Sequence, residues 1–345
     1  MRIKGLDFLR GIAVILVIFR HASSGNIISD IGWIGVDLFF VLSGFLVAGL
    51  VFKEYLDYQK VDITRFLVRR GFKIYPPFYF FIFITIVLNY IQTKGFYSLS
   101  QVLNEIFYLQ SYRRGIWHHT WSLAIEEHFY IGLALFILIC IRTKLIENKK
   151  FIGYFLICML ILSFLMRFYI SYQNRDKLFF SFTATHLRMD GILIGVLTSY
   201  LYYFTDFYKL FSKCKYWFFV FASILISPVF FFSGGSYFMN TIGLTTVNLG
   251  FGLLVLFSLN AFKISNQIFL PITKIPFMII CFIGIHSYSI YLWHLMSEKI
   301  VRLMDCNQQY YFILFLIVSI SLGVTMSYAI EKPFLGLRDI IYKRK

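Results

Sequence analysis

The sequence predicts an all-α, polytopic transmembrane helix bundle of about ten spanning helices, with N- and C-termini cytoplasmic. Three observations carry that expectation. Hydrophobic residues make up 59% of the 345 and charged residues only 14%, with a mean hydropathy of +0.73, which leaves no long polar stretch for a soluble domain. Apolar runs recur that match the about 20 helical residues needed to cross a ~30 Å hydrocarbon layer. Lysine and arginine divide unevenly between the connections, as the retention of positive charge in cytoplasmic loops requires. Residues 1–345 are therefore expected to form a single integral-membrane domain.

In chain order the spans fall at roughly 6–24, 33–53, 74–92, 118–142, 151–170, 185–204, 216–233, 240–260, 276–296 and 310–330. With the N-terminus inside, the outside loops hold Lys94, Arg113, Arg114, Arg175, Lys177, Lys299 and Arg302. Arg20, Arg167 and Arg188 fall within spans, and the rest of the 33 lysines and arginines lie at cytoplasmic ends and loops. The formal net charge of +16 is thus a topology signal and a contact for anionic lipid, including a KRK tail beside the last span. No basic stripe lies on a soluble domain, so no nucleic-acid partner is expected. MRIK could begin a signal peptide, but Asp7 and Arg10 interrupt the apolar stretch and no small-residue cleavage site follows. Cys140, Cys158, Cys214 and Cys281 lie in or near spans and Cys306 in an outside loop, with no disulfide framework and no metal-ligand spacing among Cys and His.

The polar residues inside this apolar chain are the informative ones, because ionisable groups at bilayer depth are costly and mark pathways or reaction centres. Arg10 and His21 share the first span. With Arg10 near the cytoplasmic boundary, His21 lies roughly 16 Å deeper along the helix. The fourth span enters from outside near His118, which places Glu126 and Glu127 roughly 12 Å below the outer surface, at a depth similar to His21. Adjacent on a helix, these two carboxylates point to different faces, so at most one meets a central cavity. Asp37, Arg188, Asp190 and His294 also fall in the outer half. Arg20 is expected to pair with a buried carboxylate or to reach the outer surface by snorkelling. His118, His119, His128, His186 and His286 read as interfacial or pocket residues.

On the cytoplasmic side, DITRFLVRRGFKIYPPFY sets Arg65, Arg69, Arg70 and Lys73 on an amphipathic stretch leading into the third span at Pro76 and Pro77. Arg70 and Lys73, three residues apart, share a face if this stretch is helical. A cationic mouth below a titratable cluster makes a vectorial site: phosphates dock at the first and chemistry occurs at the second. A pantetheine-like arm of about 15 to 20 Å bridges a gap of that size, which points to an acyl-coenzyme A whose nucleotide stays cytoplasmic. Plainer readings stand beside this one. Arg69, Arg70 and Lys73 could be ordinary positive-inside anchors, Asp37 an interfacial cap, and the buried charges the lining of a transporter or flippase pathway.

The ordered motifs resemble the integral-membrane acyltransferase-3 family, whose members O-acylate glycans and other small acceptors. They are KGLDFLRGIAVILVIFRH in the first span, GVDLFFVLSGFLV at 35–47, FLVRRGFKIYPPFY at 66–79, TWSLAIEEHFY at 120–130, SYSIYLWH at 287–294 and EKPF at 331–334. The resemblance implies that His21 is the catalytic histidine, with Arg10 its helix companion and Asp37 and Glu126 polar members of the site. It implies that Arg70 and Lys73 occupy the place of the family's Arg-x-x-Arg pair in holding the coenzyme, with Arg69 sharing the work. Lysine at the second position supplies a point charge where arginine supplies a planar fork. The resemblance further implies acetyl-CoA as acyl donor, no metal, a bacterial cytoplasmic (inner) membrane location, and a cell-surface glycan or its undecaprenyl-linked precursor as acceptor. His21, with an unperturbed pKa near 6.5, is the natural base for the acceptor hydroxyl, oriented by Asp37 or Glu126. Ser122, Tyr130, Tyr288 or Tyr291 could serve the developing oxyanion. Direct transfer and an acyl-enzyme relay both stay open, and the loop from about 93 to 117, with Arg113, Arg114, Trp117 and His118 at or beside its end, could meet a glycan.

Overall fold

A computed structural model describes residues 3–22, 27–173, 182–261, 271–304 and 307–342. Cys306, Arg175, Lys177 and the KRK tail lie outside the described residues. Among those described, all regular structure is helical: α1 (Lys4–His21), α2 (Ile27–Ile31), α3 (Ile34–Tyr58), α4 (Ile63–Thr93), α5 (Leu99–Ile106), α6 (Trp121–Arg142), α7 (Lys149–Gln173), α8 (Thr185–Arg188), α9 (Asp190–Phe204), α10 (Phe207–Lys213), α11 (Lys215–Ile226), α12 (Leu244–Ala261), α13 (Pro271–Ile285), α14 (Ser287–Leu303), α15 (Gln308–Met326) and α16 (Lys332–Ile341). Short 3-10 turns and two π-helical segments, Met239–Gly243 and Ser327–Glu331, complete the described helical structure.

Each expected span has a helical counterpart, but fewer than ten meet the demands of a crossing. Among the described residues six helices are long and apolar enough alone, and up to eight if each of two bent pairs is one span. The bends fall between Phe207–Lys213 and Lys215–Phe230, at 97°, and between Lys274–Ile285 and Ser287–Leu303, at 81°. The expected continuous helix over 276–296 is therefore broken at His286. α1 carries Lys4, Asp7, Arg10 and Arg20 within 18 residues, and α9 is only 15 residues long, so neither meets the length and apolarity of a span alone.

The basic segment also differs from expectation. α4 starts at Ile63, where the Asp62 side chain accepts from the Arg65 amide at 2.8 Å, and continues through Pro76 and Pro77. Each proline removes an N–H from the helix ladder, and such freed backbone in a membrane protein is satisfied by neighbouring helices. The carbonyls left without a ladder donor are those of Phe72 and Lys73; the next one along, Ile74, accepts from the Tyr288 hydroxyl at 2.9 Å. Arg65, Arg69, Arg70 and Lys73 thus extend from the same rigid helix as the apolar segment that follows.

Two glycine contacts set the core. α3 and α9 cross at Gly44 and Gly195, where a Cβ on either residue would strike the partner helix's backbone; α1 and α13 meet the same way at Gly11 and Gly284. Small residues let helix backbones approach closely in a bundle, where dispersion contacts substitute for the hydrophobic effect. Large apolar side chains remain exposed on the outer faces of α7, α11 and α15, such as Tyr154, Trp217 and Ile317, as a lipid-facing surface requires.

Candidate functional site

Polar groups line a column running beside α1. At the Arg10 end, α1 and α4 bring together Arg10, Arg70 and Lys73, which lie within electrostatic reach of Glu126 and Glu331. The Arg70 guanidinium sits 5.6 Å from the centre of the Tyr130 ring. Among the described residues no carboxylate forms an ion pair with any of these three cations. Glu331 is instead held by the hydroxyls of Ser289, at 2.7 Å, and Ser327, at 3.1 Å.

Arg10 and Glu126 line a cavity of about 50 Å³ together with Ser43, Ser122, Tyr288 and Tyr291. Tyr130, one turn along α6, donates to Glu126 at 2.8 Å and touches Ser43 at 2.9 Å. A cavity of this size holds a few waters in the form described. Glu127 turns to the other face, where Tyr75 donates to it at 2.9 Å, the divergence that 100° per residue imposes on neighbours in a helix.

Beyond the cavity, the Tyr291 hydroxyl meets Ser122 at 2.6 Å and donates to the His119 carbonyl at 2.8 Å. Four imidazoles follow. His21, the last residue of α1, has its ring 5.0 Å from that of His294 on α14 and 5.8 Å from that of His118, while His119 and His294 lie 5.0 Å apart. His118 is exposed, His21 half-buried, and His119 and His294 buried. Among the described residues no group of three or more ligand side chains is arranged to hold a metal.

The expected carboxylate partners of His21 are placed elsewhere. Asp37 pairs with Arg188 at 2.9 Å, both about 1% exposed, beside a second buried pair, Arg167 and Asp190, at 2.6 Å. Glu126 sits on the far side of the Ser122–Tyr291 contact. The depth estimate misses because the turn His118–Thr120, not α6 itself, lies level with His21, so Glu126 falls several residues deeper along the helix. Arg69 also leaves the Arg10 group: its guanidinium donates to the Tyr342 carbonyl at 3.2 Å and lies 3.6 Å from Asp339, beyond α16 and on it. One helical step separates Arg69 from Arg70, and it divides a tether to the C-terminal helix from a cavity cation.

Sequence reasoning gives Glu105 and Glu331 no role. Glu105, on α5, is fully buried, and its Oε1 accepts from the amides of Ile116 and Trp117, both at 2.9 Å, and from the Thr120 hydroxyl at 3.0 Å. It thereby fixes the chain that delivers His118 and His119. Burial pushes its pKa up to about 7 against the pull of these donors. A single glutamate in a polar connection carries no pattern to reveal this. Glu331 is visible in EKPF, yet its serine partners come from 42 and four residues away.

A family model described as an acyltransferase domain matches residues 3–332. The O-acetyltransferase OatA of Staphylococcus aureus strain NCTC 8325 / PS 47 is 28% identical over 218 residues, covering 58% of this chain and 35% of that protein; OatA of strain COL matches to the same extent. A further strain COL protein, provisionally assigned as an O-acetyltransferase, is 29% identical over 217 residues, or 58% of this chain and 35% of its own length. The match thus spans about a third of the length of these relatives. No solved structure matches.

Proposed function

The chain belongs to the acyltransferase-3 family, and from that membership we propose that it is a multi-pass membrane O-acetyltransferase. In this reading it moves an acetyl group from cytoplasmic acetyl-CoA to a hydroxyl of a cell-surface glycan or its undecaprenyl-linked precursor, at the bacterial cytoplasmic membrane. The observation that carries the proposal is the polar column: unpaired cations at one end of α1, a histidine cluster at the other, and a narrow polar cavity between them. The names of the Staphylococcus aureus relatives supply the acetyl group.

Arg10, Arg70 and Lys73 would receive the coenzyme phosphates, since three cations without ion-pair partners present a field that phosphate compensates. The acyl end would enter the cavity past Ser43 and Glu126, and a cavity of about 50 Å³ must widen to admit it. The Ser122–Tyr291 contact stands between that cavity and His21 and is the place to open. At His21 a free imidazole nitrogen takes the proton of the acceptor hydroxyl as its oxygen attacks the thioester carbonyl carbon. Collapse breaks the carbon–sulfur bond, and the departing thiolate receives the proton from the His21 imidazolium. Charge on the carbonyl oxygen develops near Ser122 and Tyr291, whose hydroxyls can turn to donate.

Radiolabelled acetyl-CoA, incubated with membranes containing the protein and undecaprenyl-linked glycans, tests the reading. Coenzyme-dependent label in the glycan is expected, and its loss in His21→Ala with membrane insertion intact. Glycan crossing the membrane without label would instead make the column a transport path.

A further inference from the structure

Four histidines gather around the end of α1, and the hydrogen bonds of two of them fix where their protons lie. The Nδ1 atom of His294 contacts the Tyr291 carbonyl at 2.5 Å, and Nε2 of His119 contacts the Leu292 carbonyl at 3.3 Å. A carbonyl only accepts, so each of these nitrogens carries the hydrogen. In a neutral imidazole the other nitrogen is then a bare acceptor. Those other nitrogens, Nε2 of His294 and Nδ1 of His119, are buried and without a hydrogen-bond partner among the described residues. Unpaired buried acceptors carry a desolvation penalty and call for an explanation.

His21 supplies one. Its ring centre is 5.0 Å from that of His294, with the two planes tilted by 49°; the rings are not hydrogen-bonded in the form described, and a turn of the His21 ring brings one of its nitrogens toward Nε2 at hydrogen-bond range. The charged and titratable groups around His21 are Arg20 on its own helix, His118 and His119 from the turn before α6, and His294 from α14; Glu298 stands behind His118. Among the described residues no carboxylate acts directly on His21; Asp37 is taken by Arg188 and Glu126 by Tyr130.

We infer that His294 is the positioning residue of His21: when the His21 ring turns toward it, its Nε2 accepts the N–H of that ring, fixes the tautomer that turns the other nitrogen to the acceptor hydroxyl, and holds the imidazolium that forms. His119, 5.0 Å from His294, packs against His294 and offers the second bare acceptor. A neutral imidazole thus fills the role that a carboxylate fills in a Ser-His-Asp triad. The inference rests on the proposed role of His21, and the experiment separates the two.

Purified His21→Ala, His294→Phe and His294→Gln are compared with the parent protein for kcat, KM for acetyl-CoA and the pH dependence of kcat. His294→Phe keeps a planar ring and removes the acceptor; it should lower kcat by about 100-fold or more, the low end of what general-base catalysis is worth, with KM unchanged and the acid limb of the profile displaced. His294→Gln keeps an oxygen acceptor near the Nε2 position and should recover most of the loss, which a purely structural role would not predict. If His294→Phe does not fold, His294→Gln with near-parent kcat supports the inference, and a folded His294→Gln as inactive as His21→Ala overturns it. An active His294→Phe with an unchanged profile, beside an inactive His21→Ala, overturns the inference alone. An active His21→Ala removes the premise itself.

Discussion

Two groups of cationic side chains, one buried and one half-buried, lie in the same bundle and are treated in opposite ways. On α7, α8 and α9, Arg167 and Arg188 are sealed from solvent and each is matched to a carboxylate, Asp190 and Asp37. On α1 and α4, Arg10, Arg70 and Lys73 gather with no ion-pair partner among the described residues and line or approach a cavity. A charge withdrawn from water is tolerable when it is paired and hydrogen-bonded. The first group is matched charge for charge and reads as architecture, although Asp37 Oδ2, Asp190 Oδ1, Arg167 Nε and Arg188 Nε and Nη1 are buried without hydrogen-bond partners among the described residues; the second has no matched carboxylate, and its proposed role rests on that difference. The difference separates Asp37, which the motif resemblance places in the catalytic site, from the cations that the same resemblance assigns to the coenzyme.

The sharpest way to break this contrast is to open the paired group. Asp37→Ala or Arg188→Ala leaves a lone buried charge and should cost about 3–5 kcal/mol of stability, read as a large fall in the thermal midpoint of the detergent-purified protein. Replacing both partners together should recover part of the loss. An Asp37→Ala protein of parental stability that is merely inactive would return Asp37 to the catalytic group.

Glu105 sharpens the comparison from outside the spans, as a buried carboxylate with hydrogen-bond donors but no counter-charge. Its pKa of about 7 in the folded protein lies above its ordinary value of 4.5, so the folded state binds the proton more tightly than the unfolded one. The stability this contributes is complete below the ordinary value, declines as pH rises from about 4.5 to 7, and changes no further above that. Glu105→Gln retains the acceptor for Ile116, Trp117 and Thr120, and should remove this part of the pH dependence. Trp117 fluorescence during thermal unfolding follows it locally. Glu105→Ala strands those donors and should destabilise by about 1–3 kcal/mol.

The reading from sequence succeeds where the signal is local. Apolar length places the helices, and the spacing of Arg70 and Lys73 on one face survives in α4. Failures begin where helices must be matched in depth. His21 and Glu126 are assigned similar depths by counting from each membrane surface, but the turn at His118–Thr120 stands beside His21 and shifts Glu126 away. The break at His286 leaves no proline at the bend, and Gly284, two residues before it, serves the contact with α1, so hydropathy reads 276–296 as one helix. Asp37, Glu126 and His21 are all polar residues in apolar runs; only their neighbours, Arg188, Tyr130 and His294, distinguish their roles, and Arg188 and His294 come from distant parts of the chain.

On the unpaired side, the expected effects are on acyl-donor binding rather than on folding. Arg70→Ala should weaken acetyl-CoA affinity by about 10-fold, the equivalent of a single charge-assisted contact near 1.5 kcal/mol, and flatten the dependence of binding on salt. The thermal midpoint should hold or rise, because removing one of three neighbouring cations relieves repulsion. A large loss of stability in Arg70→Ala would show that this cluster is structural like its counterpart around Asp37. Arg69→Ala is the internal control: with its guanidinium at Tyr342 and Asp339, it should leave acetyl-CoA affinity within about 2-fold, the range of an exposed ion pair.

The smallest effect is the most discriminating for how the coenzyme is held. Lys73→Arg preserves the charge and exchanges a compact ammonium for a planar fork. If Lys73 acts only through its field, acetyl-CoA affinity should change by less than about 3-fold while the salt dependence stays the same. A gain beyond that range would mean that a phosphate oxygen pair lies within reach of a bidentate contact. A loss would mean that the ammonium is already fitted among the charged groups that act on it, Arg10 and Glu331 among them, with no room for the wider group. Either departure locates the phosphate relative to α4, which measuring the charge of the cluster as a whole cannot do.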